Sequence, residues 1–310
     1  MTNSKQQSAL SKEQIDSVIA LYSAGQYQEA INQIKILNDL YPNTPFLFNL
    51  IGACYKSLGQ LEGSAKMFET AVNIKSDYAE AHKNLGITLK DLGRLDAAVE
   101  SLNRAIAIDP NYVDAHYNLA ITLKDLNQFD DAVKSYQKVL EVNPNFAQAY
   151  NNLGNLLKDL GQTDESIKNY QKAIEINPNF AHAYNNLGNA FKDLKKLKEA
   201  VSHYEKAIEE NPNFSEAHNN LGNVFKDLGE LDNAINSYQK AALLDNTQYE
   251  SYYNLGVAFI QLKRFNKAIE SLQTAIEINP NFAQSYNNLG SALMSQGRLK
   301  ESINYFKKAL

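Results

Sequence analysis

Seven asparagines recur at intervals of thirty-four residues: Asn84, Asn118, Asn152, Asn186, Asn220, Asn254 and Asn288. Asparagine is a middling-to-poor helix former because its side chain competes for the backbone. A fixed series of them therefore needs a reason. A carboxamide carries both donors and an acceptor, so it can pair with the backbone of an extended peptide whatever that peptide's sequence. Two alternatives compete with this role: duplication that copies passenger residues, and amides that bond between packed helices. The series persists through segments 79–112, 113–146 and 249–282, which have diverged from the rest, and this weakens the passenger alternative. A smaller set, Asn155, Asn189 and Asn223, follows three residues later in the three most alike segments; Ile87, Ile121 and Val257 stand there elsewhere. A lysine row runs through Lys56, Lys90, Lys124, Lys158, Lys192 and Lys226, and Asp91, Asp125, Asp159, Asp193 and Asp227 directly follow the last five. The lysines could meet acidic groups on a partner, but a solvated face with self-cancelling charge is the simpler reading.

Residue types suited to catalysis do not gather. His82, His116 and His218 fall on an interior position of the repeating pattern, where packing is the expected role. His182 and His203 are isolated, and no His-x-x-x-His spacing exists to hold a metal. Cys54 lies in the apolar run Ile51-Gly52-Ala53-Cys54-Tyr55 and reads as a small buried hydrophobe. No glycine-rich phosphate loop is present, and nothing in the pattern desolvates or pairs two carboxylates. The expectation is a chain without catalytic residues, metal or cofactor.

The elements that position these residues follow from the period. Counting by thirty-four from Ser11 gives units 11–44, 45–78, 79–112, 113–146, 147–180, 181–214, 215–248 and 249–282, with a shortened 283–310 after them; residues 1–10 are polar and expected to be disordered. Each unit predicts two helices. In 147–180, Ala149, Tyr150, Leu153, Gly154, Leu157 and Leu160 fall three and four apart, and Ile167, Tyr170, Ala173 and Ile174 do the same further on. Gly161 ends the first helix, where a left-handed residue costs least; Asn127, Lys195 and Lys263 replace glycine at that point in their units. Asn177-Pro178 stops the second helix, because the residue before proline is pushed out of the helical region. Ser11 with Gln14 has the spacing of a capping box at the first helix. Gly154 and its counterparts imply close approach between helices, with Tyr136, Tyr170, Tyr204 and Tyr238 supplying the bulk.

Composition narrows the partner. Thirty basic against thirty-five acidic residues give a net charge of −5, which argues against a nucleic-acid partner. One cysteine excludes an internal disulfide, no apolar leader opens the chain, and no apolar run is long enough to span a bilayer. The expected setting is the cytoplasm, with no membrane partner.

The pattern aromatic-x-x-Leu-Gly, Ala-x-x-x-aromatic-x-x-Ala and proline, at a period of thirty-four, resembles the tetratricopeptide repeat over residues 11–310. The family's usual tryptophan at the fourth position is absent; Phe48, His82, His116, Tyr150, Tyr184, His218, Tyr252 and Tyr286 stand there. The resemblance implies an all-α, right-handed superhelical solenoid of about nine stacked helix-turn-helix units. It further implies that the first helices line a groove for an extended peptide or protein segment. The Asn-Leu-Gly runs and Pro-Asn-Phe turns are most similar to the repeat region of O-linked N-acetylglucosamine transferases and related bacterial repeat proteins. That similarity implies a ladder role for the asparagines at the sixth position. A clamp for a C-terminal carboxylate, found in some members, needs basic residues that this chain lacks: only Lys83 is basic at the fifth position. The expected function is a non-catalytic interaction scaffold, or else the recognition arm of a larger glycosyl- or sulfotransferase-type enzyme. Ile303, Phe306 and Leu310 are expected to form a bare apolar end suited to a homodimer, a downstream domain or a truncation.

Overall fold

The computed structural model describes residues 10–310 and divides into two compact units, Met1–Ala149 and Tyr150–Leu310. The disorder expected for 1–10 falls outside the described residues, except at Leu10, which packs on the first core cluster. Among the described residues the secondary structure is eighteen helices and no strand. In the first unit α1 (Lys12–Ser23) pairs with α2 (Tyr27–Leu40), α3 (Pro45–Ser57) with α4 (Leu61–Ile74), α5 (Ala79–Asp91) with α6 (Leu95–Ile108), and α7 (Val113–Asp125) with α8 (Phe129–Val142). The division falls within helix α9 (Ala147–Asp159). The second unit continues with α10 (Thr163–Ile176), α11 (Ala181–Asp193), α12 (Leu197–Glu210), α13 (Ser215–Asp227), α14 (Leu231–Leu244), α15 (Tyr249–Gln261), α16 (Phe265–Ile278), α17 (Ala283–Ser295) and α18 (Leu299–Ala309). The described residues form about nine helix-turn-helix pairs, and within each unit these stack as an all-α solenoid.

Local chemistry sets the ends. Ser11 caps α1 with the full box: its hydroxyl accepts from the Gln14 N–H at 3.2 Å while Gln14 Oε1 accepts from the Ser11 N–H at 2.9 Å. Six first helices end on a glycine with positive φ, and Asn127, Lys195 and Lys263 adopt the same left-handed conformation at φ of 58°, 60° and 55°. The second helices stop at an Asx turn: Asn177 Oδ1 accepts from the Asn179 N–H at 3.2 Å, and Asn143, Asn211 and Asn279 repeat the bond.

The core is thin and alternates large with small. Tyr136, Tyr170, Tyr204, Tyr238 and Phe68 are essentially fully buried. Burying a side chain such as Phe68 contributes roughly 2–3 kcal/mol. The in-helix glycines face these side chains: a Cβ on Gly188 would sit 2.8 Å from the Tyr204 ring, and one on Gly256 would sit 2.5 Å from Leu272. The close approach expected at these glycines is therefore chiefly ring or leucine against helix backbone. Backbone oxygens come near at Gly86 and Gly154 as well. Phe306, expected to be bare, instead packs against Gly290, whereas Ile303 and Leu310 are exposed.

Within each unit successive first helices approach one another: α3 and α5, α5 and α7, α11 and α13, α13 and α15, α15 and α17. Among the described residues, no two second helices within a unit come equally close. Each stack therefore curves toward its first helices, and these line its inner side.

Candidate functional site

The sixth-position asparagines are all half-buried on the first helices. Most donate to the fifth-position residue of the preceding repeat. In the first unit Asn84 Nδ2 donates to Asn49 Oδ1 at 3.0 Å. In the second unit Asn186 donates to Asn151 at 2.9 Å, Asn220 to Asn185 at 3.0 Å and Asn254 to Asn219 at 3.1 Å. Asn288 donates to the Tyr253 hydroxyl at 3.1 Å. Asn118 departs from this pattern for a chemical reason. The fifth-position residue before it is Lys83, whose ammonium cannot accept, so Asn118 donates to the Asp114 carbonyl of its own helix at 2.7 Å. Asn152 accepts from Asn151 Nδ2 at 3.4 Å.

A carboxylate fixes which way the amides point. Asn185 Nδ2 donates to Glu216 Oε1 at 3.0 Å, and a carboxylate can only accept. Asn185 must then turn its oxygen to Asn220, and Asn220 must answer with its NH2. Glu80 plays the same part for Asn49 and Asn84, at 3.4 Å. Burial, then the Glu80 carboxylate, push the nearby Tyr78 phenol up to about 12. The fifth-position asparagines Asn49, Asn151, Asn185 and Asn219 are buried, and sequence reasoning did not single them out. Their regular place one residue before the series was the available signal. Among the described residues only Asn38 Oδ1 and Ser285 Oγ are buried without a partner. The unbonded oxygens of Asn84, Asn186, Asn220, Asn254 and Asn288 therefore reach solvent. These five hold their NH2 groups against the preceding repeat and leave their carbonyl oxygens to solvent, whereas Asn118 bonds within its own helix and the Asn152 oxygen is taken by Asn151.

The other candidate residues take different places. Asn155, Asn189 and Asn223 accept from the buried hydroxyls of Tyr170, Tyr204 and Tyr238 at 2.8, 2.6 and 2.9 Å. They anchor core rings within their own repeats. Lys56 pairs with Asp91 at 3.1 Å and Lys158 with Asp193 at 3.2 Å, each reaching the next repeat; Lys90 lies 3.7 Å from Asp91. Lys124, Lys192 and Lys226 form no ion pair among the described residues. The row thus cancels its own charge in part.

The histidines serve as ties. Nε2 of His82, His116 and His218 lies 3.0, 2.9 and 3.2 Å from the carbonyls of Ser76, Pro110 and Pro212, so that nitrogen carries the proton and donates. Burial lowers the pKa of His203, whose ring stacks on Phe191 with centroids 5.1 Å apart. Burial pushes the Cys54 thiol up to about 11, which leaves it a poor nucleophile. Among the described residues no group of three or more His, Cys, Asp or Glu could hold a metal ion. Among the same residues no helix is long and apolar enough to cross a membrane.

Family models described as TPR repeat match residues 52–93, 88–126, 122–161, 154–195, 188–229 and 222–263, and those described as tetratricopeptide repeat match 249–282 and 282–310. The chain belongs to the tetratricopeptide repeat family. No curated protein matches it significantly. Among solved structures, MamA is 28% identical with a TM-score of 0.50, over 52% of this chain and 95% of that one. The Cut9–Hcn1 hetero-tetramer of the APC/C aligns with a TM-score of 0.62 at 17% identity, over 94% of this tetratricopeptide chain and 57% of that one. PilF of Pseudomonas aeruginosa aligns with a TM-score of 0.59 at 21% identity, over 67% and 94%. The last two are distant in sequence and speak for the fold alone.

Proposed function

We propose that this tetratricopeptide repeat chain is a cytoplasmic interaction scaffold that holds an extended segment of another protein against its first helices. The observation that carries the reading is the outward row of carbonyl oxygens on half-buried amides. Such acceptors suit the backbone N–H groups of an extended chain and are indifferent to its side chains. At Asn84, Asn186, Asn220, Asn254 and Asn288 the NH2 end is already held by the preceding repeat, so these amides are pre-organised and lose little freedom on binding. The similarity of these runs to the transferases' repeat region supports the same use of the amides.

The test compares two sets of variants. Asn186→Ala with Asn220→Ala removes the outward oxygens; Asn185→Ala with Asn219→Ala removes the buried partners. Binding of a peptide recovered by panning a displayed random library, and the urea midpoint, are measured for both. The sixth-position set is expected to lose binding by more than its loss of stability explains. Unchanged binding with a large fall in midpoint would make those amides structural ties and overturn the reading.

A further inference from the structure

In the first unit the amide row starts only at Asn84; Asp16 and Leu50 hold the sixth position before it. The ninth position of segment 45–78 is Ala53, where other repeats carry asparagine, isoleucine, valine or, at Ser291, serine. A cleft of about 550 Å³ opens there, with Tyr22, Phe46, Leu50, Ala53 and Phe68 in its walls. Helix α1 does not approach α3 as closely as α3 approaches α5, and the small Ala53 leaves the space unfilled.

The polar groups of the wall are unequally engaged. Asn49 is fully used: it donates to Glu80 and accepts from Asn84. Lys56 is paired with Asp91. Lys83 is half-buried, and among the described residues its ammonium meets only the ring face of Tyr112, at 5.8 Å. The Asn84 oxygen remains open. The cleft therefore offers an apolar floor, one side-chain amide acceptor and one ammonium that forms no ion pair among the described residues.

We propose that this cleft seats an apolar side chain, leucine- or phenylalanine-sized, of the bound segment, with an acidic side chain one or two residues along meeting Lys83. This rests on the groove reading and adds a sequence preference to it: an internal apolar–acidic pair, recognised at one place on an otherwise sequence-blind row. The Asn84 oxygen accepts an N–H of the same segment. The Glu80 carboxylate also lines the cleft and is a like charge to the acidic side chain; it accepts from Asn49 at 3.4 Å, so the acidic side chain must be placed on the Lys83 side.

The test pans a displayed random peptide library on the full chain, and on Ala53→Ile and Lys83→Gln variants. Isoleucine at the ninth position is native at Ile87 and Ile121, so the first variant fills the cleft with a residue the fold already accepts. Peptides selected on the native chain are expected to carry an apolar residue with an aspartate or glutamate within two positions. Synthetic versions with blocked termini should lose about tenfold in affinity on Ala53→Ile and several-fold on Lys83→Gln, the latter loss shrinking at high salt. Selected peptides without the pair, or affinity untouched by Ala53→Ile, would overturn the cleft while leaving the amide row standing. Blocked peptides that bind only when given a free C-terminal carboxylate would replace the acidic side chain with a chain end. Failure to select any peptide would overturn both readings.

Discussion

Gly188→Ala measures how tightly the core is set. A Cβ there would lie 2.8 Å from Cε1, 2.9 Å from Cδ1 and 3.1 Å from Cζ of Tyr204, and no other group comes nearer. Ordinary contact begins near 3.4 Å, so the ring must retreat about 0.6 Å. It is fully buried, and its hydroxyl is tethered to Asn189 Oδ1 at 2.6 Å. Overpacking of this kind costs about 1–3 kcal/mol, and alanine's better helix propensity returns about 1 kcal/mol. The expected net loss is about 1 kcal/mol. Segment 113–146 shows how the strain can be relieved: it carries Ala120 and Ile121 where this repeat has Gly188 and Asn189. Adding Asn189→Ile releases the tether. Alone it costs about 1–2 kcal/mol, because the buried phenol loses its acceptor. Together the two changes should cost less than their sum by about 1 kcal/mol. Urea unfolding followed by circular dichroism and by tyrosine fluorescence gives the four midpoints; the chain has no tryptophan to interfere. Strict additivity would show that the tether does not hold the ring. A stabilising Gly188→Ala would show that the ring had room.

Two further outcomes follow from single residues. Lys195 holds φ at 60° with its Cβ in the disfavoured hand, so Lys195→Gly should stabilise by about 0.5–1 kcal/mol, read from the urea midpoint; a loss would mean that the lysine side chain contributes more than its backbone costs. His203 is held neutral by burial, with Glu199 opposing. As pH falls through the unfolded value near 6.5, the unfolded chain takes up a proton that the folded chain resists. Stability is therefore lost below about pH 6.5 and unaffected well above it. Replacing His203 with phenylalanine should flatten that part of the stability–pH curve, and parallel curves would remove the histidine from the account.

Features decided by a residue's own backbone were legible in the sequence. Gly161 marks a left-handed helix end, and Asn177-Pro178 marks a stop, because φ limits act locally; Asn127 and Lys195, exceptions to the glycine pattern, take the same left-handed conformation through their place in the repeat. Ser11 and Gln14 are three residues apart, and their mutual bonds could be read directly. What was not legible depends on lateral register. The bond from Asn186 to Asn151 spans thirty-five residues and exists only because two helices lie side by side at a particular stagger. The role of Asn189 depends on where the Tyr204 hydroxyl arrives across a helix pair. A trace of it was present, since asparagine at the ninth position occurs only in repeats that carry the core tyrosine. Tyr136 blurs that trace, because its repeat has Ile121.

The link between Asn186 and Asn151 has a consequence for how such a chain can change length. Excising residues 181–214 would bring Asn220 to the same separation from Asn151 that Asn186 now has, facing an identical side chain. The bond would re-form with new members. A cut that is not a multiple of thirty-four residues would leave an amide facing the wrong neighbour, so the array can shrink or grow only in whole divisions.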